Sequence, residues 1–290
     1  TEDPVPYAQA LANDPYAGTW SSGGNLNTTR YAGAGNGILT ASLAISGGGA
    51  PGSPPITANV EQYDGTSWTE VNNVNTARNE AAAAGTTTAG LFYGGGTPSA
   101  VANNESWNGT SWTETTDLNS AVRYHGGDGT STAALQVSGS TGADVEKWDG
   151  SSWTEVNDVN NPRSTLDSVG TVTASVAFGG RSPGSPVLDA ETELWDGTNW
   201  TEVNDLNNAR GELGGAGTST SALAFGGSNG PTAGSFTNTE SWDGTNWTEV
   251  NDLATARARI KGGGASNSSA LGFGGTTDGG STQVNGTEEW

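Results

Sequence analysis

Apolar and polar positions alternate along this chain in short runs, and nowhere does a helical spacing of three and four take over. A run such as Ala222-Leu223-Ala224-Phe225 alternates in period two and ends in Gly226-Gly227, which predicts a short strand with one face buried. An Ala/Gly-rich run precedes it (ELGGAG at 212–217, EAAAAG at 80–85) across a Gly-Thr-rich turn, and predicts another short strand. After a loop of changing wording comes a third run with a Glu two residues before an aromatic. An Asp-Gly or Asn-Gly dipeptide (Asp64-Gly65, Asn108-Gly109, Asp149-Gly150, Asp196-Gly197, Asp243-Gly244) then turns the chain into a fourth. Such dipeptides between β-type segments predict tight hairpins, because they accept positive φ cheaply.

The four-strand pattern repeats. The stretch TESWDGTNWTEVNDLATAR at 239–257 returns along the chain, and its second Trp recurs as Trp20, Trp68, Trp112, Trp153, Trp200 and Trp247. The spacings are 48, 44, 41, 47 and 47 residues, a period that belongs to propellers, solenoids and arrays. Four short strands per unit without a helix read as a propeller blade. The predicted fold is therefore all-β: a six-bladed β-propeller over residues 19–290 with four antiparallel strands per blade, preceded by an arm at 1–18. The first unit begins at Trp20 without its Glu-x-aromatic strand, and the chain ends on that missing piece, Glu288-Glu289-Trp290. Pairing the two would close the ring and remove two bare edges. Every Trp then has a place. Six are the second aromatic of a unit, Trp107, Trp148, Trp195, Trp242 and Trp290 are the first, and Tyr63 fills the remaining slot as expected inter-blade packing.

Val60-Glu61-Gln62-Tyr63-Asp64, then Trp68, an Arg corner and Gly-Gly, resembles the kelch motif, and the resemblance recurs through residues 18–290. The turn is shorter than the family's and Trp mostly replaces Tyr. The resemblance implies closure by the C-terminal strand, an innermost Ala/Gly-rich strand, and the Arg corner at one mouth of a central channel. In some kelch relatives that corner contacts acidic peptides. The wording WDGTNWTEVNDLNNAR resembles propellers of environmental bacteriophages and bacterial surface proteins. The Trp-Asp pairs (Trp148-Asp149, Trp195-Asp196, Trp242-Asp243) open turns, and no Gly-His partner motif accompanies them, so a WD-repeat reading is weaker.

Composition narrows the functional classes. A net charge of −21 disfavours nucleic acid or anionic surfaces as partners, and no apolar run is long enough for a membrane-spanning helix. Without Cys there is no disulfide framework, zinc-thiolate site or cysteine nucleophile, nor the Cys-Tyr-His set that the oxidase relatives of kelch place around copper.

The repeated charges offer the candidate chemistry. Arg30, Arg78, Arg163, Arg210 and Arg257 fall ten residues after the second Trp, and Arg123 eleven. Six guanidinium groups at a channel mouth would suit a carboxylate or phosphate ligand, since the planar fork binds oxyanions bidentately. Six Glu recur equally strictly, at Glu61, Glu105, Glu146, Glu193, Glu240 and Glu288, and Arg with Glu equally reads as structural ion pairs. Open guanidinium groups would mark a ligand site; carboxylate partners would mark architecture. His125, the only His, is expected to be incidental, and no Cys–His or Ser–His–Asp set is available. Asp/Asn-rich turns offer oxygen ligands to Ca²⁺, but no Asp-x-Asp-x-Asp-Gly loop occurs, so no cofactor or metal is expected. The variable loops at 49–59, 96–104, 140–144, 181–191, 228–239 and 276–287 should share the face of the Arg corners and carry recognition.

The expected function is a non-enzymatic binding or structural module on a virion or outside a cell. Its expected partners are host surface glycan or another virion or surface protein, with a homo-oligomer compatible and no membrane insertion. The alternative is a secreted or cell-surface propeller enzyme acting on glycans at the Arg-lined mouth.

Overall fold

A computed structural model describes residues 18–48, 56–184, 188–230, 234–278 and 282–290. The predicted arm at 1–18 lies outside the described residues except for Gly18. Six four-stranded antiparallel sheets stand around an axis. Blade five shows the plan: Gly214–Thr218 innermost, then Ser221–Phe225, Thr239–Trp242 and Trp247–Glu249 outward. Blades are numbered here by their inner strands, Ala34–Ile38, Ala82–Gly85, Gly126–Thr130, Asp167–Thr171, Gly214–Thr218 and Lys261–Ser266. These inner strands converge on one another around the axis. Their Gly and Ala content follows from that convergence: a Cβ on Gly127 would fall 2.4 Å from the Tyr93 hydroxyl, and one on Gly262 2.5 Å from the Gly215 carbonyl.

The sixth blade is built from both ends of the chain. Lys261–Ser266 and Ser269–Phe273 pair in order, Thr287–Glu289 pairs with Ser269–Phe273, and Ser21–Ser22 closes the outer edge. Trp20 and Trp290 then lie 5.5 Å apart at their ring centroids, the same aromatic pairing seen within the blades at Trp107–Trp112, Trp148–Trp153, Trp195–Trp200 and Trp242–Trp247. Tyr63 stands in for Trp beside Trp68. All eleven Trp are buried. Several also stack edge-on against the preceding blade, as Trp247 does on Phe178 and Trp20 on Phe225, so the aromatics join blades as well as fill them.

The indole N–H groups show where the repeat is imperfect. Trp20, Trp68 and Trp247 each donate at 3.0 Å to a Thr hydroxyl opening the third strand of the preceding blade, Thr239, Thr287 and Thr192 respectively. In blade three that position is Val145, which packs with Trp200, and the Trp200 Nε1 is buried without a partner. Val145→Thr should therefore stabilise the ring by about 1 kcal/mol, by giving a buried donor its acceptor at nearly constant volume. Urea unfolding checks this; a lower midpoint for the variant would contradict it.

Candidate functional site

Five of the six predicted Arg are buried ion-pair partners. Arg78 meets Glu105 at 2.6 Å, Arg163 meets Glu193 at 3.1 Å and Arg257 meets Glu288 at 2.7 Å, while Arg30–Glu61 and Arg210–Glu240 pair likewise. Arg78, Arg163, Arg210 and their Glu partners have no exposed side-chain surface. Each Glu also takes backbone N–H groups from the connector that enters its blade; Glu240 accepts Asn207 N at 2.7 Å and Asn207 Nδ2 at 2.8 Å. Other terminal N–H groups go to backbone carbonyls, such as Arg78 to Phe92 O at 2.7 Å and Arg257 to Gly286 O at 2.8 Å, while the Nε of all five is buried without a hydrogen-bond partner among the described residues. The expectation of an open oxyanion ring is corrected accordingly: these guanidinium groups tie connector to blade, because a charge buried this deeply requires a partner.

Arg123, expected in the ring, stands one residue out of its register. The backbone carbonyl that accepts the glycine N–H in each corner belongs to Arg30, Arg78, Arg163, Arg210 and Arg257 in five blades, and to Val122 in blade three. Val122 thus occupies the Arg slot. Gln136 compensates, directly opposite Glu146 in the ladder, where blade five has Ala224; its amide donates to Ser138 O at 2.5 Å. Glu146 is satisfied by Asn119 N, Asn119 Nδ2 and Ser120 N at 2.8, 2.8 and 3.0 Å, without a cation. Arg123, one residue on, stands 35% exposed on the loop face, over the Tyr124 ring and 3.5 Å from Glu80.

Two residues beyond the Arg slot lies a feature that sequence reasoning missed. Ala32, Glu80, Tyr124, Thr165, Glu212 and Arg259 all have positive φ, between 49 and 59°. Their backbones form a closed cycle of hydrogen bonds: Glu80 N to Ala32 O, Tyr124 N to Glu80 O, Thr165 N to Tyr124 O, Glu212 N to Thr165 O, Arg259 N to Glu212 O and Ala32 N to Arg259 O. The bonds measure 2.6–3.2 Å and encircle the axis as a girdle. Six non-glycine residues in the left-handed region, a β-branched Thr among them, are a strained arrangement that the cycle holds in place. Inside the girdle lies a small cavity of about 40 Å³, with Leu166, Leu213 and Ile260 as apolar walls and Glu80, Tyr124, Glu212 and Arg259 as polar ones. Arg259 Nε bonds Glu212 at 3.0 Å, and its guanidinium lies over the Tyr31 ring. His125 is one place past the girdle position and buried, its ring 5.8 Å from that of Tyr93.

Below the girdle a channel of about 130 Å³ runs between the inner strands. Its Gly/Ala lining is interrupted by Asn36, Asp128, Asp167 and Lys261. Asn36 Nδ2 bonds Ala84 O in the next blade at 3.1 Å, Asp128 accepts Ser175 Oγ at 2.6 Å, and Asp167 accepts Gly215 N at 2.8 Å. Asn36, Asp128 and Asp167 are thus inter-blade links as well as channel lining. Burial pushes the Asp128 carboxyl up to about 6, against the opposing pull of the Ser175 hydroxyl, and holds His125 down at about 4. The signs are opposite. A raised carboxyl contributes stability that is present at low pH and lost as pH rises through about 6. A depressed imidazole contributes stability present above its unfolded value and lost as pH falls through about 4. Asp128→Asn should therefore raise stability at neutral pH by roughly 2–3 kcal/mol, with the gain vanishing in acid. Melting curves of both proteins across pH test it; a gain that persists undiminished in acid would contradict it.

Of the predicted variable loops, the one over blade three is reduced to Ser140-Thr141 between two seven-residue strands. The uniform turns pack together at the opposite end of the blades, as Gly109 does on Thr88 and Gly197 on Thr173. The described parts of the loops, the Arg corners and the girdle therefore share one face; residues 49–55, 185–187, 231–233 and 279–281 of the predicted loops lie outside the described residues.

No family model matches the sequence, and no curated protein does. Among solved structures the chain is similar to that of YjhT, with a TM-score of 0.74 over 92% of this chain and 96% of that one, at 14% identity. The chain is a six-bladed β-propeller. At that identity the likeness is one of fold, so the function of the propeller rests on its own residues.

Proposed function

We propose that the propeller is a non-enzymatic binding module of kelch-like type that takes its ligand at the girdle, framed by the loops of the same face. The observation that carries this reading is the contrast between backbone and side chain at the six girdle positions. The backbone is repeated in every blade at a cost in strain, yet the side chains are Ala32, Glu80, Tyr124, Thr165, Glu212 and Arg259, no two neighbours alike. A repeat needed only for architecture would carry Gly there. Two carboxylates, a phenol, a hydroxyl and a guanidinium above an apolar floor suit a sugar ring or a polar side chain. They would accept and donate to hydroxyl groups while Tyr124 supplies a flat face.

The ligand class that fits best is surface glycan, with a protein segment as the second candidate. The resemblance of the repeat to phage and bacterial surface propellers supports display on a virion or cell exterior. Glycan-array and pull-down binding of the wild type against Tyr124→Ala with Arg259→Ala tests the site. Both residues are partly exposed, so binding should fall at least tenfold with little change in melting temperature. Undiminished binding by the double variant would remove the girdle as the site.

A further inference from the structure

The five Asp-Gly-type turns are superimposable in their hydrogen bonding, and one differs in chemistry. Asp64 Oδ1 accepts Thr66 N and Ser67 N at 2.9 and 2.8 Å, Asp149 accepts Ser151 N and Ser152 N at 2.8 and 2.9 Å, Asp196 accepts Thr198 N and Asn199 N at 2.8 and 2.7 Å, and Asp243 accepts Thr245 N and Asn246 N at 2.8 Å each. In blade two the residue is Asn108, whose Oδ1 accepts Thr110 N and Ser111 N at 2.9 Å each. Even the second contact is matched. Asn108 Nδ2 donates to Ser111 Oγ at 3.3 Å, where Ser67 Oγ donates to Asp64 Oδ2 and Ser152 Oγ to Asp149 Oδ2 at 3.4 Å. Rotating one hydroxyl converts the Asn arrangement into the Asp arrangement.

We infer that Asn108 is a modification site at which the folded turn converts asparagine to aspartate. Asn108 is exposed, and Gly109 follows it at φ 90° with no side chain to shield its nitrogen. The Gly109 backbone nitrogen attacks the Asn108 Cγ, a C–N bond forms, and the amide nitrogen leaves as ammonia. Water then opens the resulting succinimide, so one water is consumed and one ammonia released. Opening at one carbonyl restores an ordinary aspartyl backbone. Opening at the other gives isoaspartate, with an extra methylene in the main chain that removes the side-chain acceptor from the Thr110 and Ser111 N–H groups. The turn favours the first product because it is built to hold a carboxylate. In the four Asp turns, backbone N–H donors hold the carboxyl below its ordinary range, in Asp149 down to about 2.

The chain supplies its own comparison in Asn229-Gly230. Asn229 is exposed in a loop, and its side chain makes no hydrogen bond among the described residues. The experiment is to age the intact protein in mildly alkaline buffer and map its peptides by mass spectrometry, with fragmentation that separates aspartate from isoaspartate. Asn108 should gain the amide-to-acid mass with an aspartyl linkage, while Asn229 gives a mixture that includes isoaspartate. The N108D protein should melt at or above the wild-type temperature. An Asn108 that remains amide while Asn229 converts, an isoaspartyl product at 108, or a lower melting temperature for N108D would each overturn the inference.

Discussion

A protein lacking Thr287–Trp290 is expected to lose its cooperative melt altogether, rather than fray at one blade. Thr287–Glu289 is the third strand of blade six, hydrogen-bonded to Ser269–Phe273 on one side and Ser21–Ser22 on the other, and Trp290 continues it with a backbone bond to Ala270 O at 2.9 Å. Their removal leaves Arg257, 1% exposed, without Glu288, and an uncompensated buried charge costs roughly 3–5 kcal/mol. Trp20 loses Trp290 as its neighbour, the Trp68 indole loses its acceptor Thr287, and the Tyr63 hydroxyl loses Glu289. Removing a large buried aromatic costs a further 3–5 kcal/mol or so. The sum is comparable with the roughly 5–15 kcal/mol that holds a whole domain. Scanning calorimetry is the check. A truncated protein with the full-length melting temperature would show that the ring does not depend on this closure.

Arg210→Ala is expected to cost about 3–5 kcal/mol, although the residue was a candidate ligand contact. The variant strands Glu240, fully buried, with only the donors of Asn207 and Asn208. Arg123→Ala, by contrast, removes a partly exposed side chain and should cost less than about 1 kcal/mol. Blade three indicates how a blade can dispense with its arginine. There Val122 and Gln136 accompany a Glu146 that is satisfied by N–H donors alone. Carrying that solution into blade five as Arg210→Val with Ala224→Gln should recover part of the loss. If the transplanted pair is as unstable as Arg210→Ala, the blade-three compensation has been misread.

The ring and its closure were legible in the sequence because both are matters of period and phase: Trp20 lacked a third strand and Trp290 ended one. The role of the arginines was not. Arg and Glu recur with equal strictness, and strict recurrence describes an ion pair and a ligand ring equally well; burial alone separates them. The eleven-residue spacing to Arg123 conceals that Val122 holds the slot, because an apolar residue in a charged position carries no local sign of equivalence. The girdle escaped notice for a related reason. Positive φ at a non-glycine residue has no composition signal, and Ala32, Glu80, Tyr124, Thr165, Glu212 and Arg259 share nothing but phase. A fixed place two residues after the arginine slot, filled differently each time, was the available clue. Asp128, Asp167 and Lys261 were likewise visible only as departures from the Ala/Gly wording of the innermost strands.

The recurring arginines and glutamates are one piece of architecture, buried ion pairs that tie each connector to its blade. The most direct test is the coupling energy between Arg210 and Glu240, measured by urea unfolding of the wild type, Arg210→Ala, Glu240→Gln and the double variant. The predicted coupling is at least about 2 kcal/mol, with the double variant more stable than Arg210→Ala alone. A coupling near zero, with both single variants unfolding like the wild type, would contradict it.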